Sequence, residues 1–170
     1  MNIFFLDENP IQISMLMCDK HTVKMIIESA QMLSTAHRVL DGAEYADKFR
    51  LYKVAHKNHP STVWTRSSHK NYLWHFDLFK AMLEEYGFRY GKLHKCGELL
   101  SPLETLPKNM PRGEFTPPPQ CMPEQYKCDD TVLAYRRFYA GEKAGFANWK
   151  FRPVPNWFAS PAVARNVLNT

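Results

Sequence analysis

The sequence predicts an all-α protein, and three observations predict it. Apolar residues return at three- and four-residue steps over long stretches, helix caps and stops punctuate those stretches, and few runs read as credible strands. The 170 residues, 45% hydrophobic and 14% aromatic, suit one domain with a real core. That domain is expected to span 1–170, with a helical core at about 10–100, a Pro-rich crossover loop at about 101–128, and a C-terminal helix and aromatic tail at about 129–170.

The opening NIFFL reads as a short strand or an extended arm. LDENP then supplies Asp7 or Asn9 as a cap, with Pro10 at the first helical position. From there to about Leu40 the pattern is helical, with Val23, Ile26, Ile27, Ala30, Leu33 and Ala36 as its apolar stripe. A helix that long calls for a break, expected between Ser14 and Asp19, and Asp41-Gly42 stops it. A loop with one short helix is expected from 43 to 57. Pro60 is tolerated only near a helix start, and Ser67 or Ser68 offers a second start. Beyond it Tyr72, Phe76, Phe79, Leu83 and Tyr86 mark one stripe, Gly87 is a natural stop, and a further short helix is expected from Phe88 to about Leu99. Residues 101–128 hold seven of the twelve prolines, a composition that excludes helix and makes a poor strand. Asp129 or Asp130 caps a last helix to about Trp149, and RPVPNWF follows as an extended tail.

Composition narrows the function classes. The longest early apolar run, IFFL, is too short for a membrane span or a signal-peptide core, so a cytoplasmic protein without membrane contact is expected. Cys18, Cys96, Cys121 and Cys128 are irregularly spaced and read as reduced thiols. Neither Cys18/His21 nor His94/Cys96 matches the paired knuckles of structural zinc sites, so no metal and no other cofactor is expected. A formal charge of +5 favours an anionic partner. Arg136, Arg137, Lys143, Lys150 and Arg152 stand against Glu142 alone between 132 and 152, interleaved with aromatic residues. That pattern suits nucleic acid, with phosphates on cations and bases on rings; an amphipathic helix docking its aromatics inward produces it equally well.

Two further constellations carry candidate chemistry. In CDKHTVKMIIES, residues 18–29, Lys20, Lys24 and Glu28 stand at i, i+4 and i+8, Gln31 and Thr35 continue the row, and Asp19 and His21 crowd the same turn. The simple reading is a solvated face with a Lys24–Glu28 pair. The alternative is a site where cations hold phosphate, an amine attacks a sugar carbon and a carboxylate stabilises positive charge on the sugar. In KNHPSTVW, residues 57–64, Asn58 and His59 precede a helix start, where they either cap the turn or help receive an anion. Arg66 and His69 follow, and His69 and His75 are each read as satisfied core or boundary histidines.

Together, MCDKHTVKMIIESAQML, KNHPSTVW and the long aromatic helix resemble the pyrimidine-dimer DNA glycosylases, the phage endonuclease V family. A pattern D-[KR]-x-x-x-K-x-x-x-E followed by Asn-His-Pro is met by Asp19, Lys20, Lys24, Glu28, Asn58, His59 and Pro60. RYGK and TPPPQCMPEQY look like a version common in bacteriophage genomes. The resemblance covers roughly residues 10–90. It implies a helical, monomeric DNA-binding domain that flips a nucleotide, excises a damaged or modified base and nicks the abasic site through a Schiff base. In that family the nucleophile is the amine of a processed N-terminal residue, assisted by a helix glutamate. This sequence begins Met1-Asn2, whose bulky second residue disfavours removal of the methionine. Aligned through the flanking cations, the family glutamate is expected nearer His21 than Glu28.

On that resemblance, Glu28 or His21 acts at the sugar with Asp19 beside them, and Lys24 and Lys20 hold phosphate or supply the amine. Asn58, His59, Trp64, Arg66 and His69 position the substrate, and Arg136, Arg137, Lys143 and Trp149 grip the strand. Two alternatives share these residues: an enzyme acting on the glycosidic bond of a free nucleotide or nucleoside, and a non-enzymatic phage module that binds DNA or protein.

Overall fold

A computed structural model of the chain describes residues 1–159; the expected tail beyond 159 lies outside the described residues. Eight α-helices run in order through them: α1 Pro10–Leu16, α2 Asp19–Asp41, α3 Glu44–Lys48, α4 Pro60–Thr65, α5 His69–Tyr90, α6 Leu100–Glu104, α7 Thr131–Lys143 and α8 Asn156–Ala159. Among the described residues there is no β-strand, so the class is all-α. Short 3₁₀ turns cover Lys95–Leu99 and Glu124–Tyr126.

The first thirty-odd residues divide as the sequence expects. Asn9 caps α1, its side-chain oxygen accepting from the Ile11 N–H at 2.9 Å. The break falls at Met17–Cys18, and what holds it open comes from far along the chain. The Cys18 N–H donates to the Tyr139 hydroxyl at 2.8 Å, and the Asp19 N–H donates to the Asn148 carbonyl at 2.8 Å. These bonds satisfy donors that the first turn of α2 leaves open. Gly42 ends α2 at φ +84°, a conformation that an L side chain resists.

The core face of α2 is rotated from the expected stripe. Val23 and Ile27 are 36% and 38% exposed and share the outer face with Lys20 and Lys24. The buried face is instead His21, Thr22, Met25, Ile26, Ser29, Ala30 and Leu33, packed on α5. Polar positions could turn inward because the interior satisfies them. His75 lies 2.9 Å from the Ser29 hydroxyl and 2.8 Å from that of Thr65, and burial pulls its pKa down to about 3. Thr35 meets the Ala55 N–H at 3.1 Å, and Arg38 donates to the Tyr52 carbonyl at 2.6 Å, which draws the 51–59 loop against α2.

Ser68 caps α5 through the Asn71 N–H at 3.1 Å. The expected stop at Gly87 is corrected: the helix runs on to Tyr90 and ends at Gly91, at φ +62°. Arg89, buried in that last turn, holds the extension in place by four hydrogen bonds to Glu85, Met15, Met17 and Asp19. No helix starts at Phe88; the chain next turns at Lys95–Leu99 and continues as α6, which includes Pro102 and so extends helix into a stretch expected to lack it. Pro102 sits within the first turn of α6, where its missing N–H leaves nothing unpaired.

From 105 to 123 there is neither helix nor strand, and side chains supply the partners that a ladder would. The Trp64 indole donates to the Thr116 carbonyl at 2.9 Å, and the Asn71 amide oxygen accepts from the Thr116 N–H at 3.0 Å. The Gly113 N–H donates to His69 Nδ1 at 3.1 Å.

Helix α7, capped by Asp130 through the Leu133 N–H at 3.0 Å, stops at Lys143 rather than Trp149. Residues 156–159 are a helical turn rather than extended chain. Gly141 in α7 has a steric reason: a Cβ there would lie 2.5 Å from the Tyr126 hydroxyl.

The N-terminal residues form a buried arm, not a strand. Ile3, Phe4, Phe5 and Leu6 all enter the core. Each such side chain contributes roughly 1.5–3 kcal/mol of burial, enough to anchor four residues of chain. Arg136 fastens the end of the arm by donating to the Leu6 carbonyl at 2.8 Å. Burying the arm carries Met1 and Asn2 to the side of α2.

Candidate active-site cleft

Glu28 is where the arm and α2 meet. Its Oε2 accepts from the Asn2 N–H at 2.9 Å and lies 3.6 Å from the Met1 amino group. Its Oε1 lies 3.4 Å from Lys24 Nζ. The carboxylate side chain is 12% exposed, whereas that of Lys24 is 68% exposed and can swing to a ligand. Met1, Asn2, Phe4, His21, Lys24, Met25, Glu28, Phe138 and Lys143 line a cleft of about 180 Å³ at this point.

Asn2 is fixed from its other side. Its Nδ2 donates to the Cys121 carbonyl at 3.0 Å, and its Oδ1 lies 2.9 Å from the Tyr135 hydroxyl. That hydroxyl also lies 2.6 Å from the Pro119 carbonyl. The proline-rich segment therefore buttresses the arm against Glu28, a role that its composition did not announce.

His21 forms the inner wall. Its ring stacks on Phe4, centroids 4.5 Å apart, and Nδ1 is 2.7 Å from the Tyr139 hydroxyl. Burial, then the positive charges of Lys143 and Lys24, lower its pKa to about 4. Glu28 meets the Met1 amino group, and His21 lines the same cleft beside them.

His59 caps α4, its Nδ1 accepting from the Ser61 N–H at 3.2 Å. Burial, then the charges of the Met1 amino group and His56, lower its pKa, while Glu28 acts to raise it. Asn58 is exposed next to it, and His56 holds the turn before it at φ +45°.

The other expected site residues divide by what they already touch. Asp19 lies on Arg89 at 3.0 Å and accepts from the Lys150 N–H at 3.0 Å, and it does not line the cleft. Lys20 rests 4.6 Å over the Phe146 ring and is otherwise exposed. Trp64 and Trp149 spend their indole N–H groups within the protein, Trp149 on the Leu16 carbonyl at 2.9 Å, and His69 spends its Nδ1 on the Gly113 N–H. Arg66 donates to Thr62 at 3.0 Å, and Arg136 is committed to the arm. Lys143 borders the cleft, with Nζ 4.6 Å over the Phe138 ring. Arg137 is half-buried on α7.

Size does not pick out this cleft. A hollow of about 610 Å³ beside Leu83, Leu93 and Leu100 is wider, and one of about 300 Å³ lies beside His37 and Asp41. Neither brings a free amine against a half-buried carboxylate. Among the described residues no three His, Cys, Asp or Glu side chains gather as metal ligands would, and no helix is long and apolar enough to cross a membrane. All four cysteines are free. The Met1 contact was the part that motif reading missed; its signal was NIFFL, an apolar run that must bury and take Met1 with it. Set against protein-family models, curated proteins and solved structures, the chain matches none of them.

Proposed function

We propose that the chain is a DNA N-glycosylase that removes a damaged or modified base and then opens the abasic site as a lyase. The observation that carries this reading is the half-buried Glu28 carboxylate, 3.6 Å from the Met1 amino group and 3.4 Å from Lys24 Nζ, at the floor of a cationic cleft. In its unprotonated form one of these amines, or that of Asn2 if Met1 is removed, attacks C1′. The C1′–N bond breaks with its electron pair going to the base, which takes up a proton. Glu28 stabilises the positive charge that develops on the sugar. Ring opening leaves an iminium between amine and C1′; loss of a C2′ proton expels the 3′ phosphate, and water releases the amine. Lys24, Lys143 and Arg137 meet phosphates, and Asn58 and His59 help position the substrate.

Incubation with oligonucleotides carrying oxidised, alkylated, dimerised or hypermodified bases, followed by borohydride, tests this. The expected result is a covalent protein–DNA adduct that maps by mass to the N-terminal peptide or to Lys24. Base release without an adduct would leave a glycosylase and remove the lyase step; no release from any of these substrates removes the reading.

A cleft of about 180 Å³ admits a sugar and phosphate but not a duplex. This favours, as a second reading, cleavage of the glycosidic bond of a free nucleotide. It predicts turnover of mononucleotides and a duplex affinity that barely responds to salt, opposite to the first reading on both counts.

A further inference from the structure

The hydrogen-bond chain behind His21 favours one arrangement of protons. The Cys18 N–H donates to the Tyr139 oxygen at 2.8 Å, so that oxygen already accepts once. His21 Nδ1 lies 2.7 Å from the same oxygen. Were Nδ1 protonated, the hydroxyl would accept twice, and its own proton would be left to the Cys18 thiol, a weaker acceptor than an imidazole nitrogen. With the hydroxyl donating to Nδ1, its proton goes to the stronger acceptor and the oxygen keeps the bond from Cys18. The imidazole is then neutral, with its proton on Nε2. Nε2 has no hydrogen-bond partner among the described residues, although His21 is only 7% exposed and lines the cleft.

We infer that Tyr139 is a positioning residue that fixes His21 as a neutral Nε2–H donor, and that this N–H binds a phosphate oxygen of the nucleotide seated in the cleft. The inference rests on the nucleotide-processing reading above and adds a substrate contact to it. The groups that face His21 are consistent with it from every side. From the arm come Phe4 and the Met1 amino group, from α2 Lys24 and Glu28, and from α7 Phe138, Tyr139 and Lys143. Phe146 meets the ring edge-on at 5.7 Å. Lys24, Lys143 and the Met1 amino group already supply positive charge, and a fourth cation among them would be repelled. A neutral donor adds direction without adding charge, and the low pKa of His21, about 4, keeps it so through the physiological range.

Long-range proton–nitrogen NMR on the full chain, labelled at histidine nitrogens, tests this, with the His21 signals identified by their loss in His21→Gln. His21 should be the Nε2-protonated tautomer and stay so from about pH 8 to pH 5, below the ordinary histidine range. Inorganic phosphate, and separately a duplex with a tetrahydrofuran abasic-site analogue, should shift its Nε2–H signal. Tyr139→Phe should release a mixture of tautomers. His21→Leu should weaken duplex binding about tenfold, while His21→Gln, which keeps an N–H near the Nε2 position, should stay within about threefold. A wild-type His21 protonated at Nδ1, or titrating near its ordinary value, overturns the positioning role without any variant having to fold. A correct tautomer whose Nε2–H ignores both phosphate and duplex overturns the substrate contact. Absence of base release on every oligonucleotide, with the tautomer and phosphate shift intact, would sink the glycosylase reading and leave this contact standing.

Discussion

Two carboxylate–cation clusters meet α2, one at Asp19 and one at Glu28, and they differ in how much bonding capacity they leave unspent. On one side Glu85 accepts from Arg89 Nε at 2.6 Å and from Arg152 at 3.0 and 2.8 Å. Arg89, 1% exposed, spends three of its four remaining N–H donors on Asp19 and on the carbonyls of Met15 and Met17. With two cations and two anions the cluster is neutral and closed. On the other side Glu28 meets two amines and one N–H, while Lys24 projects into solvent and Lys143 borders an open cleft. Charge clustering alone does not distinguish a rivet from a reaction centre; saturation does.

Breaking the closed cluster should have the largest effect. Arg89→Ala leaves Glu85 buried and deprived of its closest partner, and strips bonds from the α1–α2 junction. Removing one partner of such a pair costs about 3–5 kcal/mol. Chemical denaturation should show a loss of that size, and a loss below about 1 kcal/mol would mean that the cluster is solvated in solution. Glu28→Gln should behave in the opposite way. It keeps the shape of the side chain and should leave stability within about 1 kcal/mol, yet slow base release at least about 100-fold, measured in single-turnover assays. Full activity in that variant refutes the active-site assignment.

The same contrast explains how far the sequence could be read. The Gly42 stop and the Ser68 and Asp130 caps are local effects of a few residues, and they stand where the sequence puts them, as does the break before Asp19. The ends that moved are those decided at long range. Arg89 extends α5 past Gly87 by bonding to α1 residues more than seventy positions away. The face of α2 was misjudged because Val23 and Ile27 look like core while His21, Thr22 and Ser29 look like surface. Tyr139 holds His21 inward, His75 holds Ser29 and the Cys18 carbonyl takes the Thr22 hydroxyl, and the two long-range contacts are not visible in a periodicity. Within the site, Lys24 and Glu28 were legible from i, i+4 spacing. Asp19 looked like their partner because it is nearby in sequence, but its lone pairs belong to Arg89 and Lys150. Met1 was not legible as a member because no spacing rule links it to Glu28.

His21 gives an intermediate effect that sharpens the comparison, since it is buried like the closed cluster but lines the open one. The folded chain holds it neutral to about pH 4, whereas in the unfolded chain it titrates near 6.5. The unfolded state therefore binds the proton first on acidification. Stability is fully present above about pH 6.5 and falls as the pH drops towards 4. His37, brought down to about 4, and His75, to about 3, should add to the same slope. His21→Gln should remove its share, roughly 2 kcal/mol across that interval, in denaturation curves taken at a series of pH values. An unchanged slope would place the His21 proton equilibrium in solvent rather than in the cleft wall.

The smallest effect separates the open cluster from an ordinary charged surface. Lys24 pairs with Glu28 at i, i+4 and is mostly exposed, so its loss should change stability by no more than about 0.5 kcal/mol. If its amine contacts one DNA phosphate, Lys24→Ala should lower the slope of log affinity against log salt by about 0.9. Lys92, exposed beside the end of α5, supplies the control, since its loss should leave the slope alone. Equal responses from the two lysines would mean that the chain meets DNA through net charge, with no directed contact at the cleft. A change confined to Lys24 would tie the phosphate path to the carboxylate that the arm and α2 hold between them.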